Sequence, residues 1–247
     1  MPETVTRDDW PELLAGIVAR WQVEESKPKQ DRSRRRQQEI LQAAVRVFAR
    51  EGIGRARISD VAAEAGVPVS SVYDYYPGKE DLAYAVPIAR MGRFYAEFAE
   101  ATRSVSTARE RLRLYLWMTA DFARRDPDWA RTLYLEVWPS VLVKEARLRE
   151  CLDDFARIVI ALIRDGGARG EWPPDPNPYQ TATILIGSVS QLIITWLLYR
   201  RPQDLMRATT QLVGRLLGLL DVPSEVIPRN RSAGAVRRRD AAIASLR

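Results

Sequence analysis

Histidine is absent from this chain of 247 residues, and cysteine occurs once, at Cys151. Without an imidazole, the chain excludes Ser/His and Cys/His nucleophilic pairs, and it lacks the commonest metal ligand in proteins. A single cysteine also excludes intrachain disulfides and cysteine-rich zinc sites. We therefore expect no metal, no cofactor and no enzyme of these classes, and any catalysis would depend on carboxylate, lysine or tyrosine chemistry.

A secretory signal is also missing from the sequence pattern. The opening residues MPETVTRDDW contain no basic stretch followed by an apolar run and a small-residue cleavage site. The composition, 46% hydrophobic and 28% charged, is typical of a soluble globular protein. A cytoplasmic, reducing environment is the expectation.

Positive charge is concentrated in two short segments. Residues 32–57 hold eight arginines against two glutamates, a local net charge of +6, and residues 222–247 reach +4. Because the whole chain is also only +6, the remainder is acidic. This distribution favours contact with a polyanion at these segments, although an arginine-rich run can also be a solvated face.

Helical periodicity runs through almost the whole chain, and no convincing alternating strand is found. The fold class is therefore expected to be all-α. Trp10 to Trp21 predicts an amphipathic helix that could pack on its own body or close over a partner or DNA, and the polar segment SKPKQDRS follows it as a linker. Further helices are predicted from about Ser33 to Glu51, at 59–65 and 68–75, after Gly78 with a bend at Pro87, from Ala108 to Arg125, from Pro127, from Pro139 to Asp165, at 178–199 and at 202–220.

Residues 177–199 contain no charge, so a membrane-spanning helix has to be considered. Eight of these 23 residues are Asn, Gln, Ser or Thr, and four of the polar residues lie along one stripe. The pattern favours a helix buried between its own domain and a partner over a helix in a membrane.

The stretch ISDVAAEAGVPVSSVYDYY, residues 58–76, has the spacing of a helix-turn-helix. Two short helices that cross tightly need a small residue at their contact and a glycine in the left-handed turn between them. Ala62 and Gly66 meet these needs, and the second helix is predicted to open at Pro68. In the major groove its outward side chains would read base edges and fix the register on phosphates. The outward residues are Val69, Ser70, Ser71, Asp74 and Tyr75.

Residues 34–82 run from a basic helix through this motif to a Tyr-x-x-aromatic-x-x-Lys ending, and they resemble the DNA-binding domain of the tetracycline-repressor (TetR/AcrR) family. The resemblance implies that Tyr73 and Lys79 contact phosphates. Three positions depart from the family pattern: Arg57 replaces a Thr, Pro68 replaces a Ser, and Tyr75 replaces a His. The Thr commonly caps the second helix, and Ser59 could supply that cap instead. The residues expected at the DNA are Arg34, Arg57, Ser59, Val69, Ser70, Ser71, Tyr73, Tyr75 and Lys79.

The helical material from about 85 to 221 resembles the regulatory domain of the same family. That domain dimerises through its last two long helices and encloses an effector site, which implies a homodimer through helices near 178–199 and 203–220. On the second helix, one apolar stripe contains Leu212, Leu216, Leu217 and Leu220. The candidate effector residues, each of which could instead be core, are Trp117, Met118, Phe122, Tyr134, Trp138, Phe155 and Trp196. The stretch GSVSQLIITWLL is similar to the matching helix of members that sense fatty acyl-CoA, which implies an apolar, acyl-type effector.

The expected organisation has four segments: an N-terminal extension at 1–32, the helix-turn-helix domain at 33–80, a regulatory and dimerisation domain at 81–221, and a basic, mobile tail at 222–247. The expected function is a homodimeric repressor that binds a palindromic double-stranded operator and is released by a small apolar effector. One alternative is a helical interaction protein that uses the motif as a scaffold for a protein partner. Another, an enzyme using Asp153 and Asp154, is disfavoured because adjacent helical residues point about 100° apart.

Overall fold

The computed structural model describes residues 9–21, 28–139, 146–175 and 177–222, with the backbone alone at Asp9 and at residues 28–31. Within these ranges the regular structure is helical and contains no strand, which confirms the all-α fold class. The predicted linker SKPKQDRS, residues 26–33, is wrong from residue 28 onward, because these residues belong to a helix that begins at Pro28. Its first two residues lie outside the described residues, as does the tail beyond Val222. Pro139 lies in a turn and is not helical, and residues 140–145, which follow it, are outside the described residues. The α-helices are α1 (Asp9–Trp21), α2 (Pro28–Glu51), α3 (Ile58–Ala65), α4 (Val69–Tyr73), α5 (Lys79–Ala101), α6 (Ala108–Arg125), α7 (Pro127–Arg131), α8 (Ala146–Ala168), α9 (Pro178–Tyr199) and α10 (Leu205–Gly218).

Helices α2, α3 and α4 form a small head, and α5 leads from this head into a larger body. The head packs around the apolar face of α2, where Ile40, Ala44, Val47 and Phe48 are buried at helical spacing. In the body, α6, α8, α9 and α10 pack against one another. The described residues thus separate into a head and a body that are joined by one continuous helix.

The body has an aromatic core centred on Phe94 of α5. Its ring lies 5.3–5.8 Å, centroid to centroid, from the rings of Tyr95, Tyr115, Phe122 and Phe155. Three of these pairs are edge-to-face, an arrangement that aromatic quadrupoles favour. This cluster joins α5, α6 and α8.

Several predicted helix starts are confirmed by their caps. The Thr107 hydroxyl accepts a hydrogen bond from the Glu110 backbone N–H, and the carboxylate of Asp126 accepts one from Trp129. The side-chain oxygen of Asn177 likewise accepts from the Gln180 N–H. Each cap satisfies a donor that the first helical turn leaves unpaired.

Two predicted starts are wrong. The last long helix begins at Leu205 instead of Pro202, because Asp204 accepts a hydrogen bond from the Arg207 N–H and caps it there. Helix α2 begins at Pro28, five residues before Ser33, because Lys, Gln and Arg are good helix formers even where apolar periodicity is missing. Pro87 lies inside α5, which continues on both sides of it.

Helix α8 also runs past its predicted end at Asp165, through Gly166 and Gly167 to Ala168. The ring of Trp172 packs directly on Gly166, and a Cβ at that position would lie 2.0 Å from Trp172 Cζ2. The Trp172 indole N–H donates to the Ile163 carbonyl at 3.0 Å, which fixes the ring there. The glycine pair therefore admits an aromatic ring and does not end the helix.

Helix α7 continues into a π-helical turn, Thr132–Val137. The Trp138 N–H donates to the Leu133 carbonyl at 2.8 Å, five residues back. Such turns are uncommon and often occur at functional sites.

Helix α1 packs on its own body, against α5 and α8, which decides between the two alternatives for it. Helix α9 is long and apolar enough to cross a membrane by length and composition. Its inner face is nevertheless buried in the chain at Leu185, Val189, Ile193 and Leu197, while Ile184 and Leu198 of its outer face are about half exposed. A helix with one apolar face buried in its own domain and a second apolar face exposed is typical of a position between that domain and a partner.

The contact of Trp172 with Gly166 predicts different outcomes for two neighbouring substitutions. Gly166→Ala should lower the free energy of unfolding by about 1–3 kcal/mol, because the new methyl group overlaps a fixed ring. Gly167→Ala is the matched control, because its Cβ would make only ordinary van der Waals contacts, with Pro174 Cα at 3.4 Å and Trp172 Nε1 at 3.9 Å. Urea unfolding followed by tryptophan fluorescence measures both, and equal midpoints for the two variants would contradict the packing.

Candidate DNA-binding head and effector cavity

The turn between α3 and α4 has the geometry of a helix-turn-helix. Ala62 is buried at the contact, and Gly66 adopts φ +66°, in the left-handed region that favours glycine. The Val67 N–H donates to the Ala62 carbonyl at 3.0 Å and closes the end of α3. Val61 and Val72 are fully buried and hold the two helices together. The roles predicted for Ala62 and Gly66 are confirmed.

Helix α4 presents one face to solvent. Val69 is 42% exposed and Tyr73 is 51% exposed, Ser70 is exposed and Ser71 is partly exposed. Pro68 is the N-cap, so α4 begins one residue later than predicted. Tyr75 is less exposed than the sequence predicts. Its side chain is partly buried, and its hydroxyl accepts a hydrogen bond from the Ser33 hydroxyl at 3.1 Å.

The cap of α3 comes from Asp60 and not from Ser59. The Asp60 carboxylate accepts a hydrogen bond from the Arg57 backbone N–H at 2.9 Å, the return half of a capping box. The sequence pattern did not identify this cap, because the accepting residue is the third residue of the helix. Arg57 and Ser59 both have exposed side chains on this edge of the head.

Lys79 lies in the first turn of α5 and holds the head together. Its ammonium donates to the carbonyl oxygens of Gly54 and Ala56, at 3.1 and 3.2 Å, in the segment between α2 and α3. An ammonium has three N–H donors, so one remains for another acceptor. Arg34 of α2 faces a cleft of about 510 Å³ that α2 shares with α5.

Part of the arginine-rich charge is neutralised inside the head. Arg46 Nε lies 2.6 Å from Glu64 Oε1, and Arg50 Nη1 lies 3.6 Å from Glu64 Oε2. The hydrogen bond from Arg46 lowers the pKa of the Glu64 carboxyl below its usual value. Arg34 and Arg57 have no ion pair among the described residues, so they remain available for an anionic partner.

A small apolar cavity of about 40 Å³ lies in the body, beside the aromatic core. Four predicted effector residues line it: Phe122, Tyr134, Trp138 and Phe155. The full lining is Met91, Phe94, Thr119, Phe122, Trp129, Leu133, Tyr134, Trp138, Leu152, Phe155, Ile186 and Ser190.

Trp117, Met118 and Trp196, the other three predicted effector residues, do not line this cavity. Met118 is buried in the core, Trp117 packs against the core, and the guanidinium of Arg200 lies 5.4 Å from the Trp196 ring centroid. Thr119 faces the cavity instead of Met118 because adjacent helical residues point about 100° apart. Composition alone could not tell which face of α6 is the cavity face.

The cavity contains few polar groups. Burial raises the pKa of the Tyr134 hydroxyl to about 12, while its hydrogen bond with Ser190 acts in the opposite direction. Trp129, which also lines the cavity, is buried, and its indole N–H has no hydrogen-bond partner among the described residues. A buried unpaired donor is costly, so this N–H is the group most in need of an acceptor.

One side chain connects the cavity region directly with the head. Glu136 lies in the same π-helical turn as Leu133 and Tyr134, and its carboxylate accepts a hydrogen bond from the Ile53 N–H at 3.1 Å. Gly52, with φ +80°, brings the chain close enough that its Cβ position is 3.3 Å from that carboxylate. The turn that lines the cavity therefore contacts the residues that precede α3.

Models of known protein families match the head and the body in turn. The model for bacterial regulatory proteins of the tetR family matches residues 40–86, and the model for the C-terminal region of YsiA-like proteins matches residues 88–218, more than half of the chain. The chain belongs to the TetR family. It is therefore a DNA-binding transcriptional regulator.

Individual TetR-type relatives agree with this assignment. The chain is 25% identical over 179 residues to the fatty acid metabolism regulator protein of Bacillus subtilis, covering 72% of this chain and 92% of that one. It is 26% identical over 204 residues to the transcriptional regulator AcrR of Shigella flexneri, covering 77% and 91%. Both relatives are regulator proteins.

Solved structures show the same fold. The structure of FadR from B. subtilis in complex with stearoyl-CoA aligns with a TM-score of 0.69 at 24% identity, covering 75% of this chain and 98% of that one. FadR from Bacillus halodurans aligns with a TM-score of 0.68 at 23% identity, covering 73% and 97%. Both comparisons support the arrangement of a helical head on a helical body.

Asp154, a carboxylate weighed as catalytic, is fully buried. It accepts hydrogen bonds from Arg20 and from the indole of Trp21. Its partner in that hypothesis, Asp153, is exposed. The two carboxylates thus face different surroundings and do not form an acid–base pair.

Proposed function

We propose that this TetR-family chain is a homodimeric repressor that a small apolar, acyl-type effector releases from a palindromic operator. The observation that carries the proposal is the contact of Glu136 with Ile53, which joins the cavity-lining turn to the DNA-binding head. The stearoyl-CoA bound to B. subtilis FadR, a structural neighbour, supports an acyl ligand. The proposed segments are those of the sequence, 1–32, 33–80, 81–221 and 222–247, and the proposed location is the cytoplasm, where the operator DNA lies.

For the DNA contact, we assign base-edge contacts to Val69 and Ser70 of α4 and to Tyr75, two residues beyond its end. Tyr73, the last residue of α4, and the third donor of Lys79 would bind phosphates. The remaining members of the proposed contact surface are Arg34, Arg57, Ser59 and Ser71.

The dimer is proposed to form on the outer faces of α9 and α10. Leu216, Leu217 and Leu220 of the predicted stripe are buried inside the chain, so that stripe cannot be the interface. The opposite face of α9 exposes Ile184, and Leu219, directly after the end of α10, is also exposed. Gly187, Gly214 and Gly218 have open space beside them, which allows a second pair of helices to approach closely. A two-fold dimer would read a palindrome with two α4 helices.

Deleting a single hydroxyl tests the phosphate contact. Tyr73→Phe should weaken operator binding about 10- to 150-fold, because a hydrogen bond to a charged group contributes about 1.5–3 kcal/mol. Tyr179→Phe is the control, because Tyr179 is nearly as exposed, at 48% against 51%, but lies on the body. Fluorescence anisotropy with duplexes selected from a random pool gives the affinities, which should fall steeply with salt.

A matched pair of charge deletions extends this test along α5. Lys79→Ala should weaken operator binding, whereas Arg103→Ala, just beyond the far end of α5, should not.

A random pool that yields no preferred duplex would contradict the operator proposal and favour a scaffold for a protein partner. Equal affinities for Tyr73→Phe and Tyr179→Phe would overturn the assignment of Tyr73.

For the effector, the cavity supplies apolar walls and one unpaired donor. Ligand pockets usually measure about 300–1,000 Å³, so a cavity of about 40 Å³ has to widen to admit an acyl chain. The indole N–H of Trp129 would donate to a carbonyl oxygen of the acyl group. Widening moves the turn that contains Leu133 and Tyr134, and through Glu136 that turn acts on Ile53 and α3.

Removal of the Glu136 carboxylate should separate effector binding from DNA release. Glu136→Ala should bind stearoyl-CoA with the affinity of the unmodified chain. The factor by which stearoyl-CoA lowers operator affinity should be at least 5-fold smaller in this variant, the low end of typical allosteric coupling. Glu100→Ala, on an exposed ion pair with Arg103, is the control. Paired titrations, with and without stearoyl-CoA, measure the coupling, and full release in Glu136→Ala would contradict this route.

A further inference from the structure

Helix α1 lies outside residues 40–218, the part of the chain that the family models match. Its buried residues Trp10, Leu14, Ile17 and Trp21 repeat at steps of four, three and four, so one continuous stripe faces the body. That stripe packs on α5 and α8 together. The helix therefore bridges two elements of the body and does not rest on one.

The C-terminal end of α1 is fixed to α8 by the fully buried carboxylate of Asp154. Oδ2 of Asp154 accepts from Arg20 Nη1 at 2.8 Å and from Trp21 Nε1 at 2.9 Å, while Oδ1 lies 3.3 Å from Arg157 Nη1. Arg20 Nη1 also lies 3.0 Å from Glu150. A buried carboxylate needs such partners, so leaving this contact is costly for α1.

The N-terminal end of α1 is held by a cation–π contact. The guanidinium of Arg111 lies 4.7 Å from the ring centroid of Trp10, and its Nη1 lies 3.7 Å from the buried carboxylate of Asp165. The Arg111 side chain is only 13% exposed, and this burial lowers the pKa of its guanidinium. Both ends of α1 are thus anchored on the body.

Against α5, the backbone of α1 makes direct contact. A Cβ at Gly92 would lie 2.2 Å from the carbonyl oxygen of Trp21 and 3.0 Å from its carbonyl carbon. Glycine at position 92 is therefore what lets α1 lie this close to α5.

The contacts of α1 lie behind the effector cavity. Met91 and Phe94 of α5 and Leu152 and Phe155 of α8 line the cavity, whereas α1 contacts Gly92 and Asp154, which lie between them in sequence. Successive residues of a helix are rotated by about 100° around its axis, so Gly92 points about 130° away from the mean direction of Met91 and Phe94. On α8, Asp154 points about 130° away from the mean direction of Leu152 and Phe155. One helix thus spans the outer sides of two cavity walls.

We propose that α1 is a strap that holds α5 and α8 together and so opposes the widening of the cavity. This role rests on the effector function proposed above. The strap sets the concentration of acyl effector that is needed to open the body. An effector must do work against the contacts of α1 before it fills the cavity. Loosening the strap therefore strengthens effector binding, whereas damage to the cavity weakens it.

Two glycine-to-alanine substitutions in helices test the strap. Gly92→Ala adds a methyl group that pushes on the Trp21 carbonyl, on the side of α5 away from the cavity. Gly16→Ala, in α1, is the matched control, because no atom lies within 4 Å of its Cβ position. Calorimetric titration with stearoyl-CoA should show at least 5-fold tighter binding to Gly92→Ala and a change under twofold in Gly16→Ala. Equal or weaker binding to Gly92→Ala would overturn the strap.

Hydrogen exchange without effector separates the strap from the effector proposal. Backbone amides of residues 88–96 and 150–158 should exchange at least 5-fold faster in Gly92→Ala than in Gly16→Ala, while those of α10 should not change. Unchanged exchange in both segments would overturn the strap, whatever the chain binds. If the unmodified chain binds no stearoyl-CoA but the exchange changes as expected, the acyl effector is wrong and the strap is supported.

Discussion

The packing of α5 is the constraint on which the rest of the molecule depends. At its start, the Lys79 ammonium binds the carbonyls of Gly54 and Ala56 and so holds the head. At its middle, Phe94 belongs to both the aromatic core and the cavity wall, while Gly92 on the other side admits α1. Pro87, between these two points, has no N–H to donate to the helical ladder, but α5 continues on both sides of it. Head, cavity and strap therefore share one continuous helix.

A second connection runs beside α5, through the π-helical turn. Leu133 and Tyr134 of that turn line the cavity, and Glu136 binds the backbone of Ile53 in the head. Helix α2 also packs on α7, the helix that continues into this turn, so the hydrogen bond of Glu136 is one contact in a wider interface between head and body. In this account α5 keeps the head attached, and the Glu136 contact is the one that an effector can change.

The sequence predicted the local features of this molecule well and the long-range ones poorly. Ala62 and Gly66 were identifiable because a tight turn restricts residue type within a few positions. The cap of α3 was misplaced by one residue, since Ser59 and Asp60 both fit the local chemistry. The cavity was predicted only in part: aromatic content suggested Phe122 and Phe155, but the inward face of α6 depends on how α5 and α8 pack against it. No local pattern relates Trp21 to Asp154, 133 residues away, so the anchoring of α1 could not be predicted.

Filling the cavity is proposed to move the head of each protomer through Glu136, and the distance between spin labels on the two heads of the dimer tests this most directly. A nitroxide on Ala63→Cys reports from the exposed side of α3. Cys151 is fully buried, and burial raises the pKa of its thiol to about 12, so the label should attach at position 63. Pulsed electron–electron resonance on the full chain should show a shifted label-to-label distance when stearoyl-CoA binds, and a smaller shift when Glu136 is replaced by alanine. An unchanged distance in the unmodified dimer with stearoyl-CoA bound would contradict the account.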